Sequence, residues 1–132
     1  MRLLFAALYL LQQPTPARSE RPDVRAGLDT LYGGGFPAAA AYFAGLAGRD
    51  STDPAPLTFE ASAYIWWAAA LENDAYEAGR IDSLLDLAIG RARATSPGPA
   101  RDFWLATALG YRARQRDLHG HSWGAADRKS VV

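Results

Sequence analysis

Apolar residues recur at helical spacing along most of the chain. Two apolar stripes between residues 24 and 47 are separated by three consecutive glycines at 33–35, which predicts two amphipathic helices joined by a tight turn. A third stretch, residues 57–71, is apolar around nearly its whole circumference, as expected of a buried central helix. The two stripes consist of Val24, Leu28, Leu31 and Tyr32, then Phe36, Ala39, Ala40, Phe43 and Ala47.

The pattern continues in the second half of the chain. A fifth helix is predicted from Pro99 to about Leu118, with Asp102 complementing the dipole at its start. The His-Gly-His segment at 119–121 is expected to end this helix, and the residues after it to begin a sixth. Residues 72–80 fit either a turn or an early helix. The fourth helix has the most regular stripe, formed by Ile81, Leu84, Leu85, Ala88, Ile89 and Ala92.

Composition favours the same fold class. Alanine and leucine dominate, and the residues that prefer strands, Val, Ile and Thr, are few. A chain of 132 residues can bury a core of its own as one domain. Fourteen basic residues balance fourteen acidic ones, so no electrostatic footprint for nucleic acid or an anionic membrane is present. The sequence therefore predicts an all-α domain of five to six helices.

Residues 1–17 have the pattern of a secretory signal peptide. Arg2 precedes an apolar run from Leu3 to Leu11, Pro14 breaks the run, and cleavage is predicted after Ala17. The run is too short to serve as a permanent bilayer anchor, and the chain has no cysteine for a lipid anchor or a disulfide. We therefore expect export to the periplasm or the exterior. The alternative is an ordinary first helix of the core.

The order of elements is a helix pair, a proline-containing loop, a second pair, another such loop and half a third pair. This is the layout of a helical repeat array. With Gly27 in one helix and Ala39 and Phe43 in the next, the chain resembles the tetratricopeptide repeat family. The resemblance implies that a small residue of the first helix faces a small residue and an aromatic residue of the second. The matching positions are Gly27, Gly34, Phe36, Ala39, Phe43, Ala92, Pro97, Leu105, Ala106 and Leu109.

The resemblance implies antiparallel helix hairpins stacked as a right-handed array over residues 18–126, with an incomplete third repeat. It also implies a scaffold whose concave face holds a protein or peptide, without chemistry of its own. Two departures are visible: extra residues at 72–80, and a proline that comes late in the loop at 48–54.

The last six residues differ in composition from the rest of the chain. Asp127–Val132 contains the only lysine, Lys129, whereas all other basic residues are arginine. This hexapeptide reads like the translation of a common sequencing adapter. We therefore interpret residues 127–132 as an adapter-derived tail and the chain as a fragment that leaves the apolar side chains of its fifth helix uncovered. The alternative is a short natural tail.

Catalytic and cofactor motifs are missing from the sequence. It has no nucleophile elbow, no His-Glu-x-x-His motif, no dinucleotide fingerprint and no cysteine nucleophile. Carboxylates such as Glu60 are expected to be scattered over helix surfaces and loops. His119 and His121 lack the further ligands that a metal site needs. We predict no enzymatic activity, no cofactor and no metal.

Five side chains are candidates for partner binding. Adjacent Trp66 and Trp67 point about 100° apart on a helix, so one could pack in the core while the other anchors a partner. Arg112 and Arg116 share a helix face beside Tyr111 and could bind a carboxylate. The alternatives are two core tryptophans and a solvated arginine face. The predicted function is a protein- or peptide-binding scaffold, and the alternative is an exported carrier of a small apolar ligand held between the third and fifth helices.

Overall fold

The protein has an all-helical structure. A computed structural model describes residues 21–129, with side chains described for residues 21–120. Every regular element in that part of the chain is a helix and none is a strand, so the predicted all-α class is confirmed. The helices are α1 (Pro22–Tyr32), α2 (Phe36–Arg49), α3 (Ala55–Ala70), α4 (Ala78–Ala94) and α5 (Pro99–Lys129).

Proline lies in the first turn of α1, α2, α3 and α5, at Pro22, Pro37, Pro56 and Pro99. Proline suits these positions because the first N–H groups of a helix have no helical acceptor and its φ is already helical. Between α1 and α2 the turn depends on Gly34, whose φ of +84° lies in the left-handed region that favours glycine. The turn and the proline signals in the sequence therefore account for most helix boundaries.

Gly27 allows α1 and α2 to lie close together. A Cβ atom at this position would overlap the ring of Phe43 and the edge of the Tyr42 ring. On the α2 side of the hairpin, Ala39 and Ala40 are buried with Phe43. The first hairpin thus has a small residue in one helix that faces small and aromatic residues in the other, as the sequence predicted.

Successive helices run antiparallel, so α1, α3 and α5 point in the same direction. Arg21, just before α1, forms an ion pair of 2.5 Å with Asp53, just before α3, which places two helix starts side by side. Farther along, the hydroxyl oxygens of Ser62 in α3 and Tyr111 in α5 lie 3.4 Å apart. Because α3 contacts all four other helices and ten of its sixteen residues are buried, it is the central element that the sequence predicted.

A continuous series of aromatic rings, which we call the aromatic row, crosses α2, α3 and α5. It consists of Tyr42, Phe43, Phe59, Trp104 and Phe103, with successive ring centroids 5.7, 5.4, 5.6 and 4.9 Å apart. Most of these pairs are edge-to-face, an arrangement that the ring quadrupoles favour. Phe43 and Trp104 are fully buried, whereas the two ends of the row reach the surface. The row ties the first hairpin to the last helix through α3.

The predicted end of the fifth helix at residues 119–121 is wrong, and so is the separate sixth helix. α5 continues through His119, Gly120 and His121 to Lys129 as a single element. A glycine in a helix interior costs about 1 kcal/mol relative to alanine but keeps its hydrogen-bonding groups, so it does not by itself end a helix. No proline lies in the segment to force a break.

The prediction that the apolar side chains of the fifth helix stay uncovered holds only for some of them. Trp104 is 1% exposed because α3 and α4 enclose it, and Leu105 and Tyr111 are half-buried. Phe103 and Leu109 are exposed. One side of α5 is therefore covered by its neighbours, and Phe103 and Leu109 lie on the part that is not.

Two further predictions concern the ends of the chain. The signal peptide predicted for residues 1–17 lies outside the described residues, as do residues 130–132 of the interpreted tail. Residues 127–129 of that tail belong to α5. The predicted helical domain, residues 18–126, is described from residue 21 onward.

Candidate functional site

Three aromatic side chains stack where α3 meets its connection to α4. Tyr64 and Trp67 of α3 are nearly parallel, with ring centroids 6.1 Å apart, and Tyr76 of the connection lies 5.1 Å from Trp67. All three side chains are half-buried. We call Tyr64, Trp67 and Tyr76 the aromatic cluster. It presents ring surface to solvent at one end of the central helix.

The backbone between α3 and α4 turns sharply to bring Tyr76 onto Trp67. Glu72 and Glu77 adopt φ values of +50° and +52°, in the left-handed region that residues other than glycine rarely adopt. The N–H of Tyr76 donates to the carbonyl oxygen of Asn73 at 3.0 Å, which closes the turn between them. Of the segment at 72–80, which departs from the repeat pattern, residues 72–77 form an ordered turn and residues 78–80 are the first residues of α4.

An arginine covers one face of the cluster. The guanidinium carbon of Arg80 lies 5.4 Å from the centroid of the Tyr64 ring, within the range of a cation–π interaction. Its Nε donates to Oε2 of Glu77 at 2.7 Å. The side chain of Arg80 remains 55% exposed, so this pair lies at the rim of the cluster.

Glu60 lies on the same face of α3 as Tyr64 and Trp67, one turn before the first and two turns before the second. It is only 8% exposed, which corrects the expectation that its carboxylate lies at the surface. Burial raises the pKa of Glu60, and the positive charge of Arg80 opposes that shift. Within the described part of the chain Glu60 makes no hydrogen bond and no ion pair. A buried carboxylate without a partner is costly to ionise.

The structure separates the five residues predicted to bind a partner. Trp67 belongs to the aromatic cluster, whereas Trp66 is 53% exposed on an adjacent face of α3, so neither is a fully buried core residue. Tyr111 is half-buried beside Ser62 of α3. The Nη1 atom of Arg112 binds Oδ1 of Asp86 at 2.9 Å, which joins α5 to α4.

These placements divide the candidates by role. Arg112 and Tyr111 contribute to contacts between helices. Arg112 was predicted to bind the carboxylate of a partner together with Arg116, but it binds Asp86 of this chain instead. Arg116 is exposed one turn farther along α5. Of the five candidates, Trp66 and Trp67 retain ring surface close to one another at the C-terminal half of α3.

A second concave region lies between the α2–α3 loop and α4. It is a cleft of about 800 Å³ whose charged lining residues are Arg21, Asp50, Asp53, Asp86 and Arg91. The Nη1 atom of Arg91 donates to the carbonyl oxygens of residues 47, 50 and 53 at 3.1–3.2 Å, so it holds the loop against α4. Arg21 binds two aspartates. These arginines are engaged in fixing the loop.

No three or more His, Cys, Asp or Glu side chains in the described part of the chain converge so that they could hold a metal ion. None of its helices is both long and apolar enough to cross a bilayer.

Sequence reasoning missed four members of this site: Glu60, Tyr64, Tyr76 and Arg80. A signal for the first two was present, since residues 60, 64 and 67 follow the i, i+4, i+7 spacing of one helix face. Glu60 is also the one acidic residue inside an otherwise apolar stretch. Tyr76 and Arg80 reach the site through the α3–α4 turn, which the sequence left ambiguous.

Comparison with known proteins adds no assignment, because no protein-family model, curated protein or solved structure matches the chain.

Proposed function

We propose that this protein is a helical-repeat scaffold of the tetratricopeptide type, a right-handed array that binds a protein or peptide partner in the cell envelope and has no catalytic activity. Close packing of Gly27 against Phe43 in the first hairpin supports the repeat interpretation. The common direction of α1, α3 and α5 also supports it, because the first helices of successive repeats are parallel in such arrays. The envelope location depends on the pattern of residues 1–17 alone.

The exposure of Trp66 is the observation on which the binding proposal mainly depends. Trp66 is 53% exposed next to the aromatic cluster, and Leu71, in the turn after α3, is 50% exposed. A tryptophan that is half-exposed in the free protein can bury a large area against a partner, and tryptophan is enriched among the residues that dominate binding energy. The C-terminal half of α3 therefore suits a docking surface.

The alternative function, a carrier for a small apolar ligand, has less support. A carrier needs an apolar cavity between α3 and α5, but Ala55, Phe59 and Trp104 pack together at that position. The cleft of about 800 Å³ lies elsewhere, between the α2–α3 loop and α4, and its lining combines charged side chains such as Arg21 and Arg91 with the apolar Leu87. It is therefore not the cavity between α3 and α5 that a carrier requires.

Selection of peptides from a random display library on the immobilised protein tests the scaffold proposal. We expect a family of peptides whose binding, measured by fluorescence anisotropy, falls about tenfold or more in Trp66→Ala. The matched control is Tyr32→Ala, because Tyr32 is a 76% exposed aromatic residue at the end of α1. It should change the affinity by less than about twofold.

Failure to enrich any peptide family, or equal losses in Trp66→Ala and Tyr32→Ala, would contradict the proposed docking surface. Tight saturable binding of a fluorescent fatty acid, with no peptide enriched, would favour the carrier.

A further inference from the structure

The charges around the aromatic cluster do not balance. Glu60 and Glu77 contribute two carboxylates, and Arg80 contributes one guanidinium that binds Glu77 and not Glu60. The adjoining turn adds Glu72 and Asp74, both exposed. The end of α3 is therefore acidic, and Glu60, its most buried carboxylate, makes no hydrogen bond or ion pair within the described residues.

The cluster already holds one cation. The Arg80 guanidinium lies over the Tyr64 ring, which shows that this ring face can accept a planar positive group. Trp67 and Tyr76 extend the aromatic surface next to it. Guanidinium groups stack on aromatic rings and bind carboxylates through two parallel hydrogen bonds, which a compact ammonium does less well.

We infer that Glu60 and the aromatic cluster form a binding site for an arginine side chain of a partner peptide. The incoming guanidinium would stack on the cluster and donate to the carboxylate of Glu60. Arg80, which is 55% exposed and contacts both Glu77 and the Tyr64 ring, would move aside. This inference depends on the proposed function, because it names the chemical group that the docking surface recognises.

Burial favours such a partner for a physical reason. Glu60 is 8% exposed as a residue, and burial raises the pKa of its carboxyl group. An arriving guanidinium donates hydrogen bonds to this group and stabilises its ionised form. Hydrogen bonds between two charged groups are about twice as strong as those between neutral groups.

The test uses two small probes, N-acetyl-arginine amide and its neutral isostere N-acetyl-citrulline amide. Binding to the full chain is followed by NMR through the indole N–H signal of Trp67, which the Trp67→Phe variant identifies. The arginine probe should shift this signal at millimolar concentration, and the citrulline probe should not. Glu60→Gln should weaken the arginine probe about tenfold, the effect of removing one charged hydrogen-bond partner.

Asp82→Asn is the matched control, since it removes the same charge from an exposed position of α4 outside the site. Its affinity for the arginine probe should stay within about twofold of the original chain. Arg80→Ala should tighten binding, because it removes the cation that competes for the Tyr64 ring. Equal binding of the two probes, an unchanged affinity in Glu60→Gln, or weaker binding in Arg80→Ala would overturn the inference.

The display experiment separates this inference from the proposed function. Peptides that depend on Trp66 but carry no arginine would leave the scaffold proposal intact and contradict the arginine site. Enrichment of arginine in peptides that lose affinity in Glu60→Gln would support both.

Discussion

The aromatic row and the aromatic cluster contain the same kinds of side chain at similar ring separations but lie in different surroundings. The row passes through the contact of three helices, and Phe43 and Trp104 at its centre are fully buried among apolar neighbours. The cluster lies half-buried at one end of α3, with the guanidinium of Arg80 over the Tyr64 ring and Glu60 one turn before Tyr64 on the same helix face. Burial on all sides makes the row a structural element, whereas open ring faces next to unbalanced charge make the cluster a candidate for recognition.

Replacing one tryptophan in each region should give the largest contrast. Trp104→Ala should lower the free energy of unfolding by about 3–5 kcal/mol, because it leaves a large cavity between α3, α4 and α5. Trp67→Ala removes a half-buried ring and should cost roughly half as much. Urea unfolding monitored by circular dichroism measures both. Similar losses in the two variants would show that the row and the cluster do not differ in structural role.

The close approach that supports the row can be tested at Gly27. Gly27→Ala should destabilise the protein by about 1–3 kcal/mol, because the added methyl group overlaps Phe43 and Tyr42. Gly45→Ala is the matched control: it lies in α2 with no atom near the position of an added Cβ. This substitution should stabilise the helix by about 0.4–1 kcal/mol. Thermal unfolding of the two variants should therefore shift in opposite directions, and a stabilising Gly27→Ala would contradict the packing described here.

The smallest effect is expected from the charge of Glu60. The pKa of Glu60 is raised by burial, so the folded protein binds this proton more tightly than the unfolded chain. The resulting stabilisation is complete below the ordinary value of 4.5 and is lost as the pH rises through the raised pKa. Glu60→Gln, which is neutral at every pH, should lack this loss and be more stable than the original chain at neutral pH, by on the order of 1 kcal/mol or less.

Unfolding midpoints in urea, measured from pH 4 to pH 8, check this prediction. The pKa values of Asp23 and Asp50 are lowered from 3.8, so these two groups contribute stability that is lost only as the pH falls below that value. Their contribution therefore changes at a pH below the measured range. Parallel pH profiles for the two proteins would show that Glu60 is not titrating in a buried environment.

The helices and their approximate bounds followed from local pattern. Each signal concerns residues that are close together in the chain, so it can be interpreted without knowledge of the fold. The signals are the period of the apolar residues, the three glycines before Phe36 and the proline at Pro99. Local pattern failed at residues 119–121, where one glycine between two histidines resembles a helix end. Helix propensity sets only a weak preference there, and the backbone continues.

The candidate site could be predicted only in part. Trp66 and Trp67 were identified from composition and helical geometry, but their exposure depends on which neighbours cover α3. Arg112 was predicted to face a ligand and instead pairs with Asp86, because that carboxylate is brought close only when α4 and α5 pack together. Side-chain roles that arise from residues far apart in the chain are not contained in the spacing of either partner.

The sequence by itself determined an all-helical chain and the turn at residues 33–35, and its resemblance to a repeat family indicated the close contact at Gly27, because each depends on residues adjacent along a helix or across one tight turn. Only the tertiary structure decided which aromatic residues are buried and which remain open, and that Glu60 is buried without a hydrogen bond or ion pair in the described chain. These properties depend on the solvent and charge left around each group once all helices have packed, and neither quantity is a local property of the sequence.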